Sequence, residues 1–162
     1  MASDMFMQIE GIEGESTDDA HKGWIEILSF NHGVSQAASG ATSATGGGST
    51  QRADFQDFSI VKVLDKSTPL LNKNCAFGAT LKTVKIHLCK ATGEGQAVYM
   101  EYTMTDAIIS SVSIGGGGGG EPTESLTFNY GKFDWNYIHL DRRGKKAGNV
   151  PAGWDLQANK MK

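Results

Sequence analysis

The side chains best suited to chemistry are four histidines, His21, His32, His87 and His139, and none is spaced to share a task with another. No i, i+2 or i+4 pairing sets two imidazoles on one metal ion, so the zinc-site spacing is missing. His87 falls within an alternating segment and is expected on the outer face of a strand. Six consecutive glycines, Gly115–Gly120, would let backbone N–H groups surround an anion. A phosphate loop, however, continues into Gly-Lys-Ser/Thr and a helix. Here the run leads into Glu121-Pro122-Thr123-Glu124 and a strand, so acidic residues stand where a phosphate would sit, and the run reads as a flexible connector. No Gly-x-Ser-x-Gly elbow marks a serine nucleophile. Glu13, Glu15, Asp18 and Asp19 crowd one turn without the spacing of a calcium loop and read as a solvated turn. Cys75 and Cys89 match no metal or redox pattern and read as buried or partly buried thiols. The dense basic run Arg142-Arg143-Gly144-Lys145-Lys146 has no aromatic residues interleaved; it reads as an exposed hairpin tip able to meet acidic residues of a neighbouring subunit. No catalytic constellation, metal site or cofactor site emerges, and the expectation is a protein that is not an enzyme.

The chain bounds its own possibilities. Its 162 residues fit one domain, 1–162, able to bury a core without disulfide staples. A formal net charge of −3 argues against a nucleic-acid partner. No apolar run approaches the ~18 residues of a membrane span, so membrane insertion is not expected. Met1-Ala2-Ser3-Asp4 lacks a basic segment followed by an apolar one, which implies folding in the cytosol and, if the protein is exported, no cleaved signal peptide.

Period-2 alternation dominates, predicting a mainly β fold with one short helix. Strands are expected at 5–9, at 24–30 with apolar side chains on both faces, and at 55–64 with Phe58 and Ile60 in phase. Residues 83–90 place Val84, Ile86 and Leu88 on one face and form a hairpin, across Thr92-Gly93-Glu94-Gly95, with 97–104. There Val98, Met100, Tyr102 and Met104 share a face. A further strand follows at 107–114. The longest pattern, 125–139, is apolar at Leu126, Phe128 and Tyr130, then changes phase to Phe133, Trp135 and Tyr137. A β-bulge at Gly131-Lys132 would keep both sets on one face. Trp154-Asp155-Leu156 reads as a short last strand. The helix runs from Pro69 to Phe77, with an N-cap oxygen from Ser67 or Thr68, Pro69 in the first helical position and Gly78 as a left-handed C-cap. Leu70, Leu71 and Cys75 are expected to plug the sheets.

The segment Ser35–Gln51 carries no charge and no aromatic residue, and a structureless stretch of about seventeen residues in a compact domain is functional or ordered only on binding. Unpaired strand edges must be hidden or used, and edge-to-edge contact between identical subunits can close into a ring. The competing reading is a monomeric β-sandwich that binds a small ligand or carbohydrate through exposed aromatics such as Trp24 or Trp135.

Asp4-Met5-Phe6, Gly14-Glu15-Ser16 with His21, Gly33-Val34-Ser35-Gln36, Leu64-Asp65-Lys66-Ser67-Thr68-Pro69, Ser110-Ser111-Val112-Ser113 before the glycines, Pro122-Thr123-Glu124 to Tyr130, and Gly153-Trp154 occur in this order along the chain. In this combination the chain resembles Hcp, the haemolysin-coregulated protein family of bacterial type VI secretion systems. The resemblance implies a two-sheet β-barrel or sandwich with one helix, related to phage tail-tube proteins. It also implies homohexameric rings stacked into a tube inside contractile sheath proteins, carrying a spike-tip protein and holding small effector proteins in the lumen, then expelled into a target cell. By this resemblance the extended loop 35–52 reaches the adjacent ring, with Gln36, Ser39, Thr42 and Arg52 as stacking residues, and Asn31 faces the lumen and its cargo. The loop departs from an ion-paired contact, because it has no charge before Arg52.

Overall fold

The computed structural model describes residues 3–36 and 52–162. Its elements are β1 (Ser3–Ile9), β2 (Ile25–Ile27), β3 (Ser29–Asn31), β4 (Val34–Ser35), β5 (Asp54–Phe55), β6 (Phe58–Val63), α1 (Thr68–Phe77), β7 (Leu81–Thr92), β8 (Gly95–Gly115), β9 (Thr123–Asn129), β10 (Lys132–Leu140), β11 (Lys146–Asp155) and β12 (Lys160–Met161). A large antiparallel sheet runs β12-β11-β10-β8-β7-β1-β2, and a smaller one runs β3-β6-β9-β8. The two-sheet, mainly β architecture with one short helix agrees with the sequence reading.

The sheets are joined because β8 belongs to both. Its first part pairs with β7 and β10; from Ile108 to Gly115 it pairs with β9. Residues 97–104 and 107–114 are therefore one strand, not two. Asp106, with φ of 52°, sits where it crosses from one sheet to the other. A register shift at Ile109/Ser111 follows the crossing, and a separate one at Leu88/Cys89, nearer the hairpin, pairs Val98 with Cys89, apart from the Met100–Leu88 and Tyr102–Ile86 pairs.

Two other expectations are corrected by the same geometry. Residues 24–30 are not one strand covered on both faces: the chain breaks at Leu28, which is 55% exposed. Beyond the break it leaves β1 for β6, so Ile25 and Ile27 serve one sheet and Phe30 the other. The phase change at Gly131-Lys132 is not a bulge. β9 ends at Asn129 in the small sheet and β10 begins at Lys132 in the large one. Leu126, Phe128 and Tyr130 thus face Phe133 and Trp135 across a common core, while Tyr137 is left exposed at the rim. Sheet switching at such corners is how a two-layer β fold closes its ends.

The helix begins and ends where expected, with Pro69 in its first turn and Gly78 left-handed at φ of 70°. Ser67 occupies the N-cap position, but its hydroxyl donates to Asp65 Oδ1 and caps no helical N–H. Leu71 is fully buried and Cys75 half-buried, whereas Leu70 faces outward. Cys75 and Cys89 are both free thiols, and burial pushes the Cys89 pKa up to about 11.

Residues 14–24, joining β1 to β2, fold over the outer face of the large sheet. Gly14 N donates to Gly23 O and Ser16 N to Trp24 O. A methyl group on Gly14 would collide with the Trp24 carbonyl, which is fixed backbone. Gly14→Ala is expected to lower the urea midpoint at unchanged m-value, a loss of about 1–3 kcal/mol by overpacking.

Candidate functional site

The outer face of the small sheet is built almost entirely from small uncharged polar side chains. Antiparallel register aligns Asn31 with Ser59, Ser59 with Thr127, and Thr127 with Ser111 in one row across the strands. The next row is Ser29, Val61, Ser125 and Ser113. Directly opposed residues share a face, so both rows look outward while Phe58, Ile60, Leu126 and Phe128 look into the core. Hydroxyl contacts gather on the first row: Ser110 Oγ and Ser111 Oγ each lie 2.6 Å from Thr127 Oγ1. Asp57 collects the ends of this network, accepting from Ser110 Oγ at 2.7 Å and from Asn129 Nδ2 at 3.0 Å. Apart from the Asp57 carboxylate at its end, such a face offers and accepts hydrogen bonds through neutral groups.

Both margins of this sheet are available for pairing. Among the described strands, β3 pairs only with β6, and β8 beyond Ile108 pairs only with β9. Asn31 is exposed on the β3 margin.

The stem of the long loop is clamped to the body. β4 pairs with β5 through Val34–Phe55 and Ser35–Asp54. Phe55 then stacks on Trp154, with centroids 6.5 Å apart, and packs at 6.1 Å from Trp135. Beside it Tyr130 Oη donates to Gln56 O at 2.7 Å and accepts from His32 Nε2 at 2.6 Å. Burial lowers the pKa of His32 and raises that of Tyr130, which keeps both neutral at pH 7. Gln36 is exposed at the edge of the stem. Arg52 is also exposed, but its guanidinium donates to the Leu156 carbonyl of its own chain and so anchors the stem. Ser39 and Thr42 lie outside the described residues.

The aromatics of the ligand-binding reading are engaged internally. Trp24 packs on His21 and His87, at 4.7 and 4.6 Å between centroids, and Trp135 lies 4.8 Å from Phe133. His87 lies on the outer face of β7, as expected, and its Nδ1 is 3.0 Å from His21 Nε2, a pairing outside the reach of sequence spacing. Among the described residues, no three His, Cys, Asp or Glu side chains gather to hold a metal ion. A cleft of about 880 Å³ mixes Lys22, Lys66, Lys82 and Lys85 with Glu10 and Glu13. The basic run does form an exposed tip between β10 and β11, its turn fixed by Asp141 Oδ1 accepting from Arg143 N and Lys145 N.

Buried charge supports the site from below. Lys62 on β6 and Glu124 on β9 are ion-paired and completely buried beneath the polar face. Lys62 Nζ also donates to Asp65 Oδ1 at 3.0 Å and to Thr68 Oγ1 at 3.3 Å, which ties the start of α1 to the small sheet.

The family model described as "Type VI secretion system effector, Hcp" matches residues 6–137. The chain is 38% identical to protein hcp1 of Pseudomonas aeruginosa over 161 residues, covering 98% of each. Its fold superposes on the structure of a type six secretion system protein with a TM-score of 0.92 and 32% identity, over 99% of this chain and 100% of the other. Hcp1 from Salmonella typhimurium follows at a TM-score of 0.82 and 29% identity, over the full length of both. No helix among the described residues is long and apolar enough to cross a membrane. Sequence, register and fold agree: the chain belongs to the Hcp family of type VI secretion system proteins.

Proposed function

We propose that this protein is the ring subunit of a type VI secretion tube: six copies close into a ring through the margins of the small sheet, and rings stack into the inner tube. The observation that carries this reading is a sheet whose two margins are unpaired among the described strands and whose outer face is dominated by Ser, Thr and Asn side chains. Joining the β8 margin of one copy to the β3 side of the next is a heterologous contact, which closes when the rotation closes. It also removes the edges that would otherwise invite uncontrolled pairing. The polar rows then line the channel, with Asn31 among the residues touching small effector proteins carried inside. A lumen of hydroxyls and amides suits a carrier, because it holds cargo by many weak contacts and releases it without breaking an ion pair.

In this reading loop 35–52 supplies the contacts to the next ring, with Gln36, Ser39 and Thr42 as stacking residues and Arg52 holding the stem. The contractile sheath, the spike-tip protein and delivery into a target cell complete this assignment. Sedimentation velocity and negative-stain imaging at tens of micromolar protein test it. Uniform rings are expected; a single monomeric species across the concentration range would overturn the proposal.

A further inference from the structure

Apart from the assembly surfaces, one polar chain crosses the outer face of the large sheet. Asp18 Oδ2 lies 2.8 Å from His21 Nδ1, His21 Nε2 lies 3.0 Å from His87 Nδ1, and His87 Nε2 lies 3.8 Å from Glu101 Oε1. Asp18 and His21 belong to the segment between β1 and β2, whereas His87 and Glu101 are opposed on β7 and β8. His21 is 3% exposed and lies flat on Phe6, centroids 4.4 Å apart and rings 6° from parallel. Trp24 packs against both imidazoles, 4.7 Å from His21 and 4.6 Å from His87 between centroids. These contacts fasten the segment to the sheet, since its backbone hydrogen bonds from Gly14, Ser16 and Gly23 close the segment on itself and on Trp24.

The geometry allows only some protonation states. Asp18 takes the Nδ1 proton of His21, leaving a single proton to lie between His21 Nε2 and His87 Nδ1. A neutral pair satisfies this arrangement, and so does a pair carrying one positive charge between the Asp18 and Glu101 carboxylates. A doubly charged pair does not, because two N–H groups would then point at each other across 3.0 Å.

We infer that Asp18, His21, His87 and Glu101 form a proton-operated latch, holding residues 14–24 on the large sheet at neutral pH and releasing them when both imidazoles are charged.

The surroundings set its direction. Charged and titratable groups facing the pair are Asp4 on β1, Glu26 on β2 opposite Phe6, Lys85 and Cys89 on β7, and Glu101 on β8, which Asn136 Nδ2 steadies at 3.2 Å. Burial depresses the His87 pKa first of all; Glu101 opposes this, and His21 and Lys85 reinforce it. A base depressed in the folded state contributes stability that is complete above its ordinary value of 6.5 and is lost as pH falls below it. Opening at acid pH has the same sign. Release would uncover Phe6 and Cys89, 3% and 1% exposed in the closed form.

Hydrogen exchange of the full chain between pH 7.5 and 5.0, corrected for intrinsic rates, tests the latch whatever the oligomeric state. The expected result is exchange of residues 14–24 accelerating by up to roughly tenfold per pH unit below 6.5 while β7 and β8 stay protected. His87→Phe, which keeps an aromatic ring against Trp24, is expected to abolish the acceleration, as is His21→Phe. Constant protection of 14–24 in the wild type would overturn the latch, and so would an undiminished pH response in a folded His87→Phe protein. Neither result bears on ring formation, which sedimentation reads separately.

Discussion

Lys62→Ala is expected to remove about 3–5 kcal/mol of folding stability, because it strands the Glu124 carboxylate in a closed interior. Lys62 and Glu124 have no exposed surface, and Asp65 also depends on the same ammonium group. Their attraction offsets the cost of taking both charges out of water only while the pair is intact. The lesion is therefore larger than the worth of the contact. In a chain of this length the thermal midpoint should fall by roughly 10 °C, read by circular dichroism. The paired change Lys62→Met with Glu124→Leu removes the charges together and is expected to recover most of the loss. The Glu124 Oε2 atom already lacks a hydrogen-bond partner, so converting the pair to apolar side chains also removes an unsatisfied acceptor. A Lys62→Ala loss below 1 kcal/mol by urea titration would mean that water reaches the pair.

Phe133→Ala should be of similar size, about 3–5 kcal/mol, for a different reason. Phe133 is fully buried on β10, parallel to His32 at 4.4 Å, with Tyr130 at 4.9 Å and Phe58 at 6.1 Å. Those partners come from the small sheet and its connections, so this one ring fills the space between the layers. Truncation leaves a cavity bordered by rings that cannot collapse into it without breaking the His32–Tyr130–Gln56 chain. Phe133→Leu retains most of the volume and should cost less than half as much. Matching losses for the two variants would mean that shape, not volume, governs the site.

How much of this could be read in the sequence differs from residue to residue. The alternation of Val84, Ile86 and Leu88 shows a strand and its buried face, because the side-chain period of two is a local property. Alternation does not say which sheet a strand joins, so at Leu28, Asp106 and Tyr130-Gly131 it suggests continuity, separation and a bulge where the chain turns a corner. The strand Lys146–Asp155 was mostly missed because Gly148, Pro151 and Gly153 argue against one, and its form depends on pairing with β10. Lys62 and Glu124 did carry a signal: they continue the apolar parity of Phe58 and Ile60, and of Leu126 and Phe128. Two opposite charges in core phase on neighbouring strands point to a buried pair. The His21–His87 contact carried none, since the two are brought together by the return of residues 14–24 over strands far along the chain. Asn31 was placed by family resemblance; register then supplied its neighbours, Ser59, Thr127 and Ser111.

The shared strand β8 has a mechanical consequence. Covalent chain passes unbroken from one sheet to the other, so a push delivered to the large sheet is carried into the small sheet along a backbone, not across a slip plane. The layers cannot shear apart before β8 gives way, and β8 is held by β7 and β10 at one end and by β9 at the other. The same feature governs acquisition of the fold. Pairings such as β1 with β7 and β6 with β9 join distant parts of the chain, a topology that folds on the order of milliseconds to seconds. Neither sheet is complete without β8, so the two layers are finished together, when this one strand finds its partners in both.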